Sequence, residues 1–407
     1  MGTTFPPAQK GTTAMSDRST ITSDFYDLEA LLDDDDRALL HRVRTFMDEQ
    51  VEPIINEYWT RAEFPRQLIP AIADLGIAGV SIQGYGCRGR SPLLDGMIAM
   101  ELSKGDPSIS TFMGVHGGLA MGSIYLCGSE EQKERWLPAM ARMELIGAFG
   151  LTEPEHGSDV ARGLQTTCRR DGDSWVLDGE KKWIGNASFA DLIIIWARDV
   201  ETERVLGFVV EQGTPGYTAV DLEDKIALRV VQNAHITLEG VRVPEENRLQ
   251  EAHSFRATAD VLRMTRAGVA WSAVGCSRGA YEHALRYAME RKQFGQPIVE
   301  FQLVQDLLVR MLGNITASAA MCARLSHLQG AGEMTDEQAS LAKAFCTMRM
   351  RETVGWAREL MGGNGILLEN HVGRYVADAE AIYSYEGTRE VNTLIVGRGV
   401  TGASAIV

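Results

Sequence analysis

The sequence predicts an α+β fold in three parts: helices, then an insert of strands about 100 residues long, then long helices to the end. Two observations carry this. Apolar residues recur at helical spacing up to about residue 145 and again after about residue 255, while β-rich runs broken by Gly and Pro fill the stretch between. Strands do not alternate with helices, so a doubly wound parallel sheet is not expected. A length of 407 residues fits two or three domains. The expected divisions are a flexible tail at 1–32, a helical domain at 33–148, a β domain at 149–253 and a helical domain at 254–407.

Each part has local signals. The tail is rich in Thr, Ser and Pro and lacks the apolar core of a secretory signal. Asp33-Asp34-Asp35-Asp36 precedes Leu39, Val43, Phe46, Met47 and Val51 and reads as a helix start, because acids complement the macrodipole there. The helical part breaks at Gly84-Tyr85-Gly86, Gly105-Asp106-Pro107 and Gly128-Ser129. Among the strands, Ser174–Leu177 runs into Asp178-Gly179, and Glu239-Gly240 separates Ile236 and Leu238 from Val241 and Val243; both read as turns. Leu192–Trp196 and Gly207–Val210 are short apolar strands. Val304, Leu308, Met311 and Ile315 share a helix face, and Thr335–Gln338 reads as a capping box.

Composition excludes several classes of function. Asp and Glu outnumber Lys and Arg, giving a net charge of −15, which argues against nucleic acid. No apolar run is long enough to span a membrane. The six cysteines form no C-x-x-C pair and the histidines have no ligand spacing, so reduced thiols, no metal and a cytoplasmic setting are expected. Ala405-Ile406-Val407 is not a peroxisomal address.

Gly84–Gly89 matches G-x-G-x-x-G but has no strand before it, so it reads as a loop between helices. Gly150–Asp159 is dense in glycine and hydroxyls where helices give way to strands, and suits either a planar polar ligand or a capped connector. Lys182-Trp183-Ile184-Gly185-Asn186 sets an indole beside a glycine. Glu386, in a turn beside Tyr385 and Gly387, is a candidate general base or an exposed loop acid.

Taken together, LTEPEHGSD at 151–159, KKWIGN at 181–186, RKQFG at 291–295, GGNGI at 362–366 and YEGT at 385–388 resemble the acyl-CoA dehydrogenase family in order and spacing. The likeness spans about residues 35–403 and is similar to the glutaryl-CoA dehydrogenase branch, within it to the plant short-chain acyl-CoA oxidase type. It implies an N-terminal helical domain, a central β domain, a C-terminal four-helix bundle, FAD as cofactor and a homotetramer. It implies Glu386 as the base that removes the α-proton of an acyl-CoA. Phe149, Leu151, Thr152, Ser158, Trp183, Ile184, Gly185 and Thr388 are implied to line the flavin. Arg291, Phe294, Gln302, Glu359, Met361, Gly362 and Gly363 are implied for the rest of FAD, with Arg291 acting across a subunit interface. Ser110, Thr111, Ser158, Arg266, Tyr385 and Gly387 are implied for the substrate.

Glutaryl-CoA dehydrogenases carry an Arg where this chain has Ser110, so the resemblance implies a short, uncharged acyl chain here. Most members carry Thr or Ser where this chain has Gly185, which leaves a hydrogen bond near the flavin unmade and space for oxygen. The expected acceptor is an electron-transfer flavoprotein, with some leakage to oxygen. The alternatives are an acyl-CoA oxidase and a non-catalytic acyl-CoA-binding relative; the intact YEGT argues against the latter.

Overall fold

The structure, a computed structural model, describes residues 23–405. Seven helices come first: α1 (Asp34–Phe46), α2 (Glu52–Arg61), α3 (Ile69–Leu75), α4 (Pro92–Gly105), α5 (Pro107–Met113), α6 (Met121–Cys127) and α7 (Glu130–Ala141). Their starts follow from side-chain chemistry. Asp33 accepts from the Asp36 N–H, Ser91 from Leu94, and Ser129 forms a capping box with Gln132. A π-helical stretch, Gly114–Ala120, joins α5 to α6.

The middle part is one seven-stranded sheet: β1 (Gly147–Gly150), β2 (Thr167–Asp171), β3 (Ser174–Gly185), β4 (Leu192–Asp199), β5 (Val205–Glu211), β6 (Tyr217–Asp221) and β7 (Asn233–Pro244). A one-turn helix, α8 (Val160–Gly163), lies between β1 and β2. β4 pairs in parallel with β1 and β2 and antiparallel with β5, while β3 and β7 form the long antiparallel seam that β6 extends. β4 and β5 are buried almost throughout, as their unbroken apolar runs require.

The last part holds α9 (Phe255–Glu290), α10 (Gln302–Gly330), α11 (Asp336–Leu360), α12 (Val372–Ser384) and α13 (Arg389–Thr401), with a small hairpin, β8 (Lys292–Gln293) and β9 (Gln296–Pro297), after α9. α9, α10 and α11 pack on one another, α12 packs on α9 and α11, and α13 packs on α11. α4 also lies against α9, so closely that a Cβ at Gly275 would stand 2.1 Å from the Met100 carbonyl oxygen. Thr335 opens α11 with the capping box read from sequence, and Leu308, Met311 and Ile315 are buried along α10. Gly84–Gly89 is a loop before α4, with φ positive at Gly84, Gly86 and Gly89. Among the described residues no helix is long and apolar enough to cross a membrane.

Three sequence expectations need correction. Residues 1–22 of the expected flexible tail lie outside the described residues, but 23–32 pack against the body. The Ser23 hydroxyl donates to Glu282 at 2.5 Å and accepts from Arg278 at 2.6 Å, and Leu32 is buried. Asp178-Gly179 and Glu239-Gly240 do not reverse the chain. They face each other where the β3–β7 register shifts, between Leu177↔Val241 and Gly179↔Leu238. The Asp178 carboxylate accepts from the Gly240 N–H at 2.7 Å, replacing a ladder bond, so a β-bulge forms where the composition resembles a turn.

A buried charged cluster ties the three parts together. Asp106 accepts from the Ser108 and Ile109 N–H groups and so caps α5; its other oxygen pairs with Arg374 of α12, both groups fully buried. Arg374 also donates to Asn56 of α2 at 3.2 Å. One turn on, Asp378 accepts from Trp59 of α2 at 3.0 Å and from the Leu228 N–H between β6 and β7 at 2.7 Å. Arg374→Met leaves Asp106 buried without its cation, so urea unfolding should show a loss of about 3–5 kcal/mol, partly restored by Asp106→Asn in the same chain. A loss below about 1 kcal/mol would mean that the pair counts for no more than a surface ion pair.

Candidate active site

The turn between α12 and α13 presents Glu386. Two consecutive residues there are left-handed, Glu386 at φ 54° and Gly387 at φ 84°. Glycine tolerates this; for a glutamate it costs about 1–2 kcal/mol, so the surroundings must hold it. They do. Thr388 caps α13 by accepting from Val391, and Asn392 donates to the carbonyls of Gly387 and Thr388 at 2.9 and 3.0 Å. Lys343 of α11 donates to the carbonyls of Tyr383 at 2.7 Å and Gly387 at 2.9 Å, one on each side of Glu386.

The Glu386 carboxylate is partly buried and accepts from the Thr265 hydroxyl of α9 at 3.1 Å. Burial lifts its pKa above that of an ordinary glutamate, against the opposing pull of Arg266, Thr265 and Lys343. Arg266 follows Thr265 on α9 and keeps a buried Nε–H with no partner among the described residues. The Tyr385 hydroxyl lies 3.4 Å from that of Thr111 on α5. One residue back along α5, Ser110 is buried, donating to the Ala99 carbonyl at 3.0 Å and lying 3.0 Å from the Ser272 hydroxyl of α9. Glu386, Tyr385 and Gly387 of the turn thus meet Thr265 and Arg266 of α9 and Thr111 of α5, with Ser110 next to Thr111 in the chain.

The sheet supplies the facing wall. β1 carries Phe149, against Trp196, and runs through Gly150 into Leu151 and Thr152; the Thr152 carbonyl accepts from the Lys182 N–H at 2.9 Å. Trp183 follows at the second β3 irregularity, with φ 68° and 56% of its surface exposed. Ile184 and Gly185 are buried beside it, and a Cβ at Gly185 would stand 3.2 Å from Val115 of the π-helical stretch. That stretch also borders the first wall, since a Cβ at Gly118 would touch Thr265. An open indole face beside the free hydroxyl edge of Thr152, with exposed Ser158 on the same loop, fits a flat aromatic group such as a flavin.

Other sequence-assigned residues lie elsewhere on the protomer. Arg291, Phe294, Gln302, Glu359, Gly362 and Gly363 are exposed, and Met361 is buried beneath them. Phe294 is 94% exposed at the hairpin tip. Within one chain these residues do not reach Glu386.

Two other glutamates in or beside the motif segments, Glu153 and Glu390, are engaged elsewhere. Glu153 is buried on Lys181 at 2.9 Å and on the Gln165 and Thr166 N–H groups. Its pKa is held low by Lys181 and these hydrogen bonds, despite burial. Glu390 is exposed and paired with Arg389. Three residues the sequence reading did not single out complete the site: Thr265, Lys343 and His116. Lys343 had a signal, for it falls on the apolar stripe of α11 with Ala339, Cys346 and Met350. Folding also brings His283 and His371 together, stacked at 4.5 Å near Glu52, where burial and the neighbouring Arg286 and Arg374 keep both imidazoles neutral. All six cysteines are free thiols.

This fold and site belong to a known class of flavoprotein. The chain matches the N-terminal, middle and C-terminal domains of the acyl-CoA dehydrogenase family over residues 33–144, 148–241 and 255–401. It is similar to a glutaryl-CoA dehydrogenase structure from Mycobacterium smegmatis in complex with FADH2, with 36% identity, a TM-score of 0.91, and 94% of this chain and 98% of that one covered. It is also similar to the 3-(aryl)acrylate reductase of Clostridium sporogenes, 32% identical over 87% of this chain and 95% of that protein. The mitochondrial short-chain specific acyl-CoA dehydrogenase of Homo sapiens is 31% identical over 88% of each. The chain belongs to the acyl-CoA dehydrogenase family, so the enzyme class and the FAD cofactor expected from the sequence are those of its family.

His116 locks the two walls together. Its Nδ1 accepts from the Gly147 N–H at 3.0 Å and its Nε2 lies 3.0 Å from the Met140 carbonyl, so the ring is neutral, with its pKa pushed down to about 4 by burial. The unfolded chain takes up this proton near pH 6.5. Stability is therefore complete above about pH 6.5 and declines as pH falls toward 4, by up to about 3 kcal/mol from this residue. His116→Gln should flatten that decline in urea midpoints measured from pH 4.5 to 7. An unchanged slope would place the acid sensitivity elsewhere.

Proposed function

We propose that this enzyme oxidises a short, uncharged acyl-CoA to the trans-2-enoyl-CoA, with Glu386 as the base. The carrying observation is the Glu386 carboxylate, partly buried and lifted in pKa, held by Thr265 and beside Tyr385, whose hydroxyl meets that of Thr111. Trp183, Gly185 and the Phe149–Thr152 segment would hold FAD, which would supply a hydride acceptor for the β-hydrogen. Everything else falls to the chain. The Glu386 N–H, left without a protein acceptor among the described residues, polarises the thioester carbonyl. The carboxylate removes the α-proton, and its raised pKa matches the weak acidity of that carbon better than an ordinary glutamate would. Thr265 orients the carboxylate, and the unpartnered Nε–H of Arg266 awaits a polar group of the CoA arm.

Gly185 leaves less room than the sequence suggests. A Cβ there would stand 3.2 Å from Val115 and 3.6 Å from Val231, so the space expected for oxygen is narrow, which favours a dehydrogenase over an oxidase. An electron-transfer flavoprotein is the fitting acceptor. Exposed Phe294, Leu303, Val309 and Ile366 support the homotetramer, which would bring Arg291 of another subunit to the cofactor.

Glu386→Gln is nearly isosteric, so FAD binding should survive while anaerobic flavin reduction by butyryl-CoA falls about 10²–10⁴-fold. In the wild type, reduction should slow as pH drops through a midpoint above that of an ordinary glutamate, because the base must be ionised. Near-normal reduction by the variant would move the base elsewhere. The tail pocket offers a carboxylate no cation, since Ser110 is committed to Ala99 and Ser272, and burying it unpaired costs several kcal/mol as an order of magnitude. kcat/KM for butyryl-CoA should therefore exceed that for glutaryl-CoA by about 100-fold or more. Efficient release of CO₂ from glutaryl-CoA would contradict this assignment.

A further inference from the structure

A lysine on the core face of α11 is an unusual expense for a helix that needs only apolar contacts there. Lys343 is fully buried, and both of its hydrogen-bond partners are main-chain carbonyls, Tyr383 at 2.7 Å and Gly387 at 2.9 Å. These carbonyls bracket the left-handed pair Glu386 and Gly387. A neutral amide can also donate to two carbonyls, as Asn392 does nearby, but only an ammonium adds a positive charge that acts on the carboxylate.

We propose that Lys343 is the positioning residue for Glu386: it clamps both ends of the turn that bears the carboxylate and supplies the cation that keeps it ionised. This rests on Glu386 being the base. The charged and titratable groups facing that carboxylate come from four elements: Thr265 and Arg266 from α9, Lys343 from α11, Tyr385 beside it at the end of α12, and Glu390 from α13 on the far side of Lys343. Arg266 alone cannot do this work, because the structure gives it no hold on the turn. Burial lowers Lys343 to about 8, and Glu386 works against that fall, as coupling in both directions requires.

The test uses FAD-loaded enzyme reduced anaerobically by butyryl-CoA across pH. Lys343→Met should lower the plateau rate at least about tenfold and shift the acid-limb midpoint upward by about one pH unit, with FAD content unchanged. Lys343→Arg, which keeps the cation, should restore most of the midpoint. A midpoint identical in wild type and Lys343→Met would overturn the proposal. A second measurement needs no substitution at Lys343. In protein labelled with ¹⁵N at lysine Nζ, the Lys343 titration midpoint should fall in Glu386→Gln, while Lys181 and Lys225 stay put as internal controls. An unmoved Lys343 midpoint would also overturn it. Because this reading is independent of rate, it separates failure of the lysine proposal from failure of the base assignment, which shows as undiminished flavin reduction in Glu386→Gln.

Discussion

The pairing of Arg374 with Asp106 is the constraint on which the rest of the site depends. Asp106 starts α5, the helix that carries Ser110 and Thr111, and Arg374 lies on α12, the helix that ends at Tyr385 and Glu386. Joining these two residues fixes the helix of Ser110 and Thr111 relative to the Glu386 carboxylate, the proposed base. The Tyr375 hydroxyl adds a second tie to the last carbonyls of α4. Asp378 extends the same cluster to Trp59 and Leu228, so the sheet is held to the same frame. Catalysis by proton abstraction tolerates little misplacement, and a fully buried ion pair is stiff in a way an apolar contact is not.

From this frame the site sets opposing demands on one turn. Glu386 must be left-handed to point its carboxylate inward, and it must be desolvated to be basic enough. Strain disfavours the first and burial penalises the charge the second requires. Asn392 and Lys343 answer the strain by holding the carbonyls on either side, and Thr265, Arg266 and Lys343 answer the charge. On the opposite wall the Lys181–Glu153 pair and His116 do the equivalent work for the segment from β1 into Thr152.

Much of this was legible in the sequence. Helical periodicity and β-rich runs located the three parts, and the Thr335 cap sits where its spacing placed it. The motif residues Glu386 and Gly185 both lie against elements that border the π-helical stretch Gly114–Ala120, through Thr265 and Val115. The misreadings have a common cause. Asp178-Gly179 and Glu239-Gly240 carry turn composition, but a bulge uses the same residues, and only the partner strand decides between them. Lys343, His116 and the Arg374–Asp106 pair act through contacts between residues distant in sequence, 268 positions apart for the last, which no local window contains. Arg291 and Phe294 are exposed on the chain, and the contact with another subunit that the resemblance implies for Arg291 is a relation that a single chain does not display.

The most direct test of the central claim isolates the first chemical step from everything after it. Acetyl-CoA has an acidic α-carbon but no β-hydrogen to lose, so it can be deprotonated without being oxidised. Incubated in D₂O with the FAD-loaded enzyme and followed by NMR, its acetyl protons should exchange with solvent at a rate that the Glu386→Gln variant abolishes. Equal exchange with both proteins would contradict Glu386 as the group that removes the α-proton.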